Sequence, residues 1–367
     1  MAEASRPVFE RLEGRENLFN FIRVVLASLV ILSHAPQLMD GDEHRELLMM
    51  ATRGNNGFGE FAVDCFFIIS GLLITHSWMR SRGLSDYLRK RFLRIFPGFI
   101  AACLLSALVV GFLGAASRGD YFHSLGIVAP IRDAVTLRGP VTPPVFQGLP
   151  HALVNGSLWT IRYEFLCYVL LALLGIAGLV KRKWPVLILF LITYVGYAVM
   201  HAMGVQELHP KLWVGFLGRA EQWPRFLTFF LAGSVLYLYR DVLPFNRKFA
   251  LAATGIVLVT MFVVHWYPFV FPVVGTYALV ALALYPAKRL QHFGERMDLS
   301  YGIYLYGWPV QILLVWYLGR NMEPLFLFVL TLVLTIPFAV ASWFLVERPF
   351  IKLKRRPAAT TAAKERQ

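Results

Sequence analysis

The chain has 367 residues, of which 57% are hydrophobic and only 16% charged, with a mean hydropathy of +0.58 and a formal net charge of +14. Soluble domains carry about 45–50% apolar and about 25% charged residues, so the composition excludes an ordinary soluble protein and points to a lipid bilayer as partner. The positive charge does not imply nucleic acid: Lys and Arg fall in short segments between apolar runs and form no DNA- or RNA-binding motif, and orientation in the membrane accounts for them.

A membrane-crossing helix needs about 20 mainly apolar residues. In chain order, runs near 18–38, 61–78, 95–116, 158–180, 184–203, 225–239, 249–266, 267–286, 300–318 and 324–346 meet or approach that length. The expected fold is therefore all-α, a polytopic membrane bundle of about ten transmembrane helices. Residues 1–17 form a cytoplasmic N-terminal segment, 18–350 the transmembrane domain, and 351–367 a basic cytoplasmic tail without fixed structure.

Charge placement supports the count. With ten spans the N-terminus, the even-numbered loops and the C-terminus share one side. That side holds Arg6, Arg11, Arg15, the run from Arg80 to Arg94, Lys181-Arg182-Lys183, Arg240, Arg247, Lys248, Lys288, Arg289, Arg296 and the basic residues from Arg348 onward, most of the 36 Lys and Arg. Positive charge stays inside, so both termini are expected in the cytoplasm of a plasma (inner) membrane protein. The first run does not read as a signal peptide, because Glu residues offset its flanking Arg and Arg23 interrupts it. Cys65, Cys103 and Cys167 lie in apolar runs without metal-ligand spacing and read as small core residues, with no metal site implied. The longest outside loop, 117–157, carries Pro140, Pro143, Pro144 and Pro150, which predicts an irregular segment able to fold over a site.

Ionisable residues inside spans cost about 2.5–3.5 kcal/mol each, so each is a candidate functional site. Arg23, His34, Asp64, Arg162 and Glu164 stand out. Arg23 and His34 are eleven residues apart on the first helix, which puts them within about 20° of one face and about 16 Å apart along the axis. The topology sets Asp64 level with His34 and Glu164 about one and a half turns below the outer surface. Arg162 and Glu164 point to different faces; Glu164 is expected to turn inward and Arg162 to reach outward. After the second run, DYLRKRFLRIFPGF concentrates Arg89, Lys90, Arg91 and Arg94 before Pro97. This is either an ordinary positive-inside loop or a clamp for phosphate, which Arg binds bidentately.

These segments together resemble the acyltransferase 3 family of membrane acyltransferases. FIRVVLASLVILSHA has its basic residue, ten positions and a histidine at Arg23 and His34. GEFAVDCFFIISGLLIT is similar to its FF-x-x-SG segment, and Arg91 and Arg94 supply an RxxR pattern. NGSLWTIRYEF resembles its SLW-x4-E segment, through Ser157, Trp159 and Glu164, while LSYGIYLYGWPV (with Trp308) and FLVERPF resemble two further blocks. The likeness runs from about residue 16 to 351. It departs at Gly307, where many relatives carry a histidine.

The resemblance implies transfer of an acyl group, acetyl by default, from cytoplasmic acyl-CoA to a hydroxyl of an exported carbohydrate or glycolipid. On that reading Arg91 and Arg94, with Arg89, Lys90 and Arg23, hold the donor. His34 serves as general base, with Asp64 or Glu164 orienting it, and Ser157, Trp159 and Trp308 support the site. Direct transfer and an acyl-histidine intermediate both remain open. The rival readings are a transporter or flippase of a glycan or lipid-linked substrate, a membrane glycosyltransferase, and a structural component.

Overall fold

The computed structural model describes residues 9–14, 17–205, 217–287 and 289–353. Arg6, Arg15, Lys288 and the tail beyond Leu353 lie outside the described residues. The principal helices are α1 (Phe19–Asp40), α2 (Phe58–Met79), α3 (Leu84–Leu105), α4 (Trp159–Ile176), α5 (Trp184–Ala202), α6 (Trp223–Leu238), α7 (Arg247–Phe262), α8 (Tyr267–Ala283), α9 (Ser300–Leu318) and α10 (Pro324–Ser342). Among the described residues there is no strand beyond one isolated bridge, Ala115 to Val145. An all-helical answer is what lipid dictates, because a helix satisfies its own backbone hydrogen bonds where water is absent.

Among the described residues six segments are long and apolar enough to cross a membrane: α1, α2, α3 with its continuation to Gly114, α4, α5, and α10 with its continuation to Lys352. The remaining four helices coincide with the other apolar runs of the sequence. On α5, Ile188, Leu191, Ile192 and Val195 are exposed, as a lipid-facing helix requires.

The tightest helix pair is α2 with α6. A Cβ built on Gly71 would stand 1.8 Å from the Phe230 carbonyl oxygen, and one on Gly233 would stand 2.0 Å from that of Ile68. Small residues let the two backbones meet, and the Ser234 hydroxyl then donates to the Gly71 carbonyl at 3.2 Å. Packing and hydrogen bonding of this kind hold helices together where burial from water gives no driving force. A similar approach joins α1 to α9: a Cβ on Gly307 would lie 2.7 Å from Ile31, and Gln311 donates to the Ile31 carbonyl at 3.1 Å. Gly307 is therefore a packing position, and the histidine of many relatives has no room there unless Ile31 shifts.

Past Leu105, α3 continues through a π-helical turn, Ser106–Val110, to Gly114. Such a turn frees carbonyls from the helical ladder, and here the Tyr121 hydroxyl takes up that of Ala107 at 2.5 Å. Tyr121 comes from the 117–157 loop, which is less irregular than its prolines predict: it contains two short helices, Arg118–Leu125 and Val128–Val135. The loop is stapled into the bundle. Asn155 Nδ2 donates to Ser106 Oγ at 3.2 Å and to the Leu305 carbonyl at 3.0 Å.

Candidate active site

The face shared by Arg23 and His34 turns into the bundle, against one stripe of α9. On α9 the residues Tyr301, Tyr304, Trp308 and Gln311 recur at helical spacing and are all buried, so they line one face. Tyr301 meets the Arg23 end of α1 and Trp308 the His34 end.

At the Arg23 end, three segments converge on one carboxylate. Arg23 Nη1 is 3.0 Å from Asp298 Oδ2, and Arg94 of α3 pairs with the same oxygen. The other oxygen, Oδ1, accepts from the Ser300 backbone N–H at 3.2 Å and hydroxyl at 2.6 Å. Burial alone would raise the Asp298 carboxyl, but the two guanidiniums and the Ser300 hydroxyl outweigh it and hold it well below the usual carboxylate range. Arg94 also stacks over the Tyr301 ring at 5.8 Å. Asp298 did not stand out in the sequence. Its signal was position, directly before the LSYG block in a loop otherwise rich in Arg.

Arg91, one turn before Arg94, also faces inward. Its Nη2 donates to Ser77 Oγ at 3.1 Å, while its buried Nε has no partner among the described residues. The other two members of the cluster face elsewhere: Lys90 pairs with Asp86 at 2.6 Å, and Arg89 donates to the Leu353 carbonyl at 2.8 Å.

Arg23 lines a cavity of about 50 Å³ together with Ser70, Thr160, Glu164, Tyr301 and Tyr304. Glu164 turns inward, on a different face from Arg162 as their spacing predicts, and accepts from the hydroxyls of Ser70 and of Tyr168, the latter at 2.5 Å. Arg162 turns to the loop, where Nε donates to the Leu137 carbonyl at 3.3 Å. Tyr304 also lines the cavity, its hydroxyl 2.5 Å from that of Thr160 and its ring 6.0 Å from that of Phe66.

His34 lies one turn of α9 further on. Its ring sits edge-on against Trp308, centroids 4.8 Å apart. Trp308 is fixed by its own indole N–H, which donates to the Leu153 carbonyl at 3.0 Å. It also packs over Gly156, where any Cβ would come within 2.6 Å of the indole. His151 approaches the same indole at 6.3 Å. Ser157 is buried, its N–H held by Asn155 Oδ1 at 3.2 Å, so the Asn-Gly-Ser run builds the floor under Trp308. Trp159 is exposed on the other side of α4, packed on Tyr163 and Phe226.

Neither carboxylate reaches His34, and among the described residues no side chain hydrogen-bonds it. Glu164 belongs to the Arg23 cavity. Asp64, 1% exposed, faces α6, where Arg225 Nε pairs with it at 2.8 Å and the Tyr267 hydroxyl donates at 3.3 Å. The sequence missed Arg225 because it sits at the helix start after a Trp-Pro pair, where an Arg reads as a boundary residue.

An all-helical bundle with apolar, membrane-length helices is the fold class that the sequence predicted. The family model described as "Acyltransferase domain" (acyltransferase 3) matches residues 17–344, and the chain belongs to that family. It is similar to the O-acetyl transferase of Shigella phage Sf6, with 27% identity over 347 residues covering 92% of this chain and 96% of that protein. It is also similar to Nodulation protein 10 of Rhizobium leguminosarum bv. viciae, with 26% identity over 377 residues, covering 95% and 96%. No solved structure matches it.

Proposed function

We propose that the protein is an O-acyltransferase that moves an acyl group, acetyl by default, from cytoplasmic acyl-CoA to a hydroxyl of an exported or cell-surface carbohydrate or glycolipid. In this reading all ten helices span the plasma (inner) membrane, with both termini cytoplasmic. The observation that carries it is the polar stripe of α1, which pairs the Arg23–Asp298–Arg94 assembly at one end with His34 at the other, opposite a matching aromatic stripe of α9. The name of the phage relative, O-acetyl transferase, supports the reaction class and the acetyl default.

Donor phosphates bind at Arg91 and Arg94, the two cations of the basic run that turn inward; Arg89 and Lys90 contribute field from the outer faces. Arg91 is the readier of the two, since its Nε is unpartnered. The pantetheine arm enters beside Arg23, where Glu164 offers its carboxylate to an amide N–H. Thioester and His34 are then separated by the Tyr304–Phe66 contact, one turn deep or about 5.4 Å, which must open for direct transfer.

His34 takes the proton from the acceptor hydroxyl, whose oxygen attacks the thioester carbonyl carbon. The C–S bond breaks, and the CoA thiolate recovers the proton from His34 as the ester is released. Neutral imidazole suits this exchange near pH 7. Trp308 holds the ring in place of a carboxylate, and Asp64 acts through Arg225 in locking α2 to α6.

The test uses proteoliposomes with acetyl-CoA labelled in the acetyl group, supplied on the Arg91 side. The account expects label on glycan only when donor is present, and no glycan movement without it. Glycan movement that ignores the donor would favour a transporter or flippase.

A further inference from the structure

A second cavity opens on a neighbouring face of α2. It has a volume of about 290 Å³ and lies where the starts of α2 and α6 meet the end of α5, close to the lower bound of about 300–1,000 Å³ for ligand pockets. Asp64 and Arg225 line it. Besides Asp64, Arg225 engages Glu60, through Nη1 at 3.4 Å to the carboxylate and Nη2 at 3.1 Å to the backbone carbonyl. Its charge is answered within the protein, so the cavity has no surplus cation with which to hold a phosphate.

What the cavity offers instead is hydrogen bonding from Asn56 and Tyr197, with Glu60 and Glu221 as acceptors, beside aromatic faces. Asn56 is 2% exposed. Its backbone is pinned on both sides by the Thr52 hydroxyl, which donates to its carbonyl at 2.9 Å and accepts from its N–H at 3.1 Å. Yet the side-chain Nδ2 has no partner among the described residues. A buried amide donor left open is costly and rare, and Asn56 lines a cavity large enough for a ligand that draws the amide out to supply the acceptor. Tyr197 lines the same cavity, and its hydroxyl bonds to no described residue.

We propose that this cavity is a subsite for an uncharged sugar ring of the acceptor glycan, apart from the ring that is acylated. The proposal rests on the acyltransferase reading and locates part of its acceptor. Asn56 Nδ2 and the Tyr197 hydroxyl bind sugar hydroxyls, with Glu60 as a further acceptor and the Tyr197 and Tyr267 rings as apolar walls. The first turn of α2, which borders the cavity, also packs on α1 beside His34: a Cβ on Gly59 would lie 2.8 Å from the hydroxyl of Ser33, the residue before that histidine. A glycan passing over that turn can keep one ring in the cavity and present a ring further along to the histidine.

The experiment applies full-length protein in lipid nanodiscs to an array of neutral and acidic oligosaccharides, with no acyl donor present. Wild type is expected to retain neutral glycans. Asn56→Ala and Tyr197→Phe should each weaken retention about five- to tenfold, the loss of one hydrogen bond, while binding of acetyl-CoA is unchanged. Tyr197→Phe keeps the ring and the packing, so it tests the subsite even if Asn56→Ala assembles poorly. Retention unchanged in Tyr197→Phe, retention of acidic glycans alone, no retention at all, or a parallel loss of acetyl-CoA binding would each overturn the proposal. Adding labelled acetyl-CoA afterwards reads the reaction itself. Absence of transfer to a retained glycan would count against the acyltransferase reading and leave the subsite standing.

Discussion

The two ends of α1 solve the same problem in opposite ways. At one end Arg23 and Arg94 share the carboxylate of Asp298, and Ser300 takes up its second oxygen, so both cations have a counter-ion within the protein and one positive charge is left over. At the other end His34 stands against the edge of Trp308 with no hydrogen-bonding side chain among the described residues. The contrast follows from what each group can do inside a membrane. A guanidinium cannot shed its charge, so it needs a counter-ion wherever water is scarce. An imidazole can rest neutral, so an aromatic wall suffices to hold it, and it stays available for a proton.

Replacing the lone ring and replacing the network should therefore fail differently. His34→Ala should lower transfer by about 10²–10⁴-fold, the usual worth of a general base, with the protein still inserted and acyl-CoA still bound; a turnover assay on the purified variant checks it. Arg91→Ala with Arg94→Ala should instead raise the acyl-CoA concentration needed for half-maximal rate, and an unchanged requirement would refute the clamp. Asp298→Ala leaves two neighbouring cations without their carboxylate and should destabilise the bundle by about 3–5 kcal/mol, read from thermal unfolding in detergent. Adding Arg94→Met should restore part of that loss, since it removes one of the stranded charges. Gly233→Ala, away from both ends, should cost about 1–3 kcal/mol by forcing α6 from α2.

The smallest effect concerns the connection before α2. Burial pushes the Glu46 carboxyl up to about 7, against the pull of the Phe58 N–H, which donates to it at 2.6 Å. The folded state thus favours the protonated form. Its contribution to stability is present in full below the ordinary value of 4.5 and is lost as pH rises through about 7. Glu46→Gln should flatten the decline in melting temperature across that interval; a slope equal to wild type would show that other groups set it.

Much of this arrangement was legible in the sequence, and the physics explains which part. Helices and their order followed from apolar run lengths, because lipid leaves the backbone few alternatives. The common face of Arg23 and His34 followed from their spacing alone; the inward turn of Glu164 followed from its spacing to Arg162 together with the greater reach of the Arg162 side chain. Partners across helices were not legible. Asp298 and Arg225 sit at helix starts, where a charge looks like boundary decoration, and only packing reveals that they meet Arg23, Arg94 and Asp64. Asp64 was expected level with His34, which fixes its depth but not its direction. The Gly71 and Gly233 contact turns it toward α6 instead.

The central claim is that one inward stripe connects a donor site at Arg91 and Arg94 to an acceptor site at His34. The most direct test is an electron cryo-microscopy map of the protein with a non-hydrolysable acetyl-CoA analogue. The account predicts phosphate density beside Arg91 and Arg94, with the pantetheine arm running past Arg23 and Glu164 and the acyl end at the displaced Tyr304 ring, facing His34. Density for the analogue on the lipid-facing surface, or with its acyl end remote from His34, would contradict it.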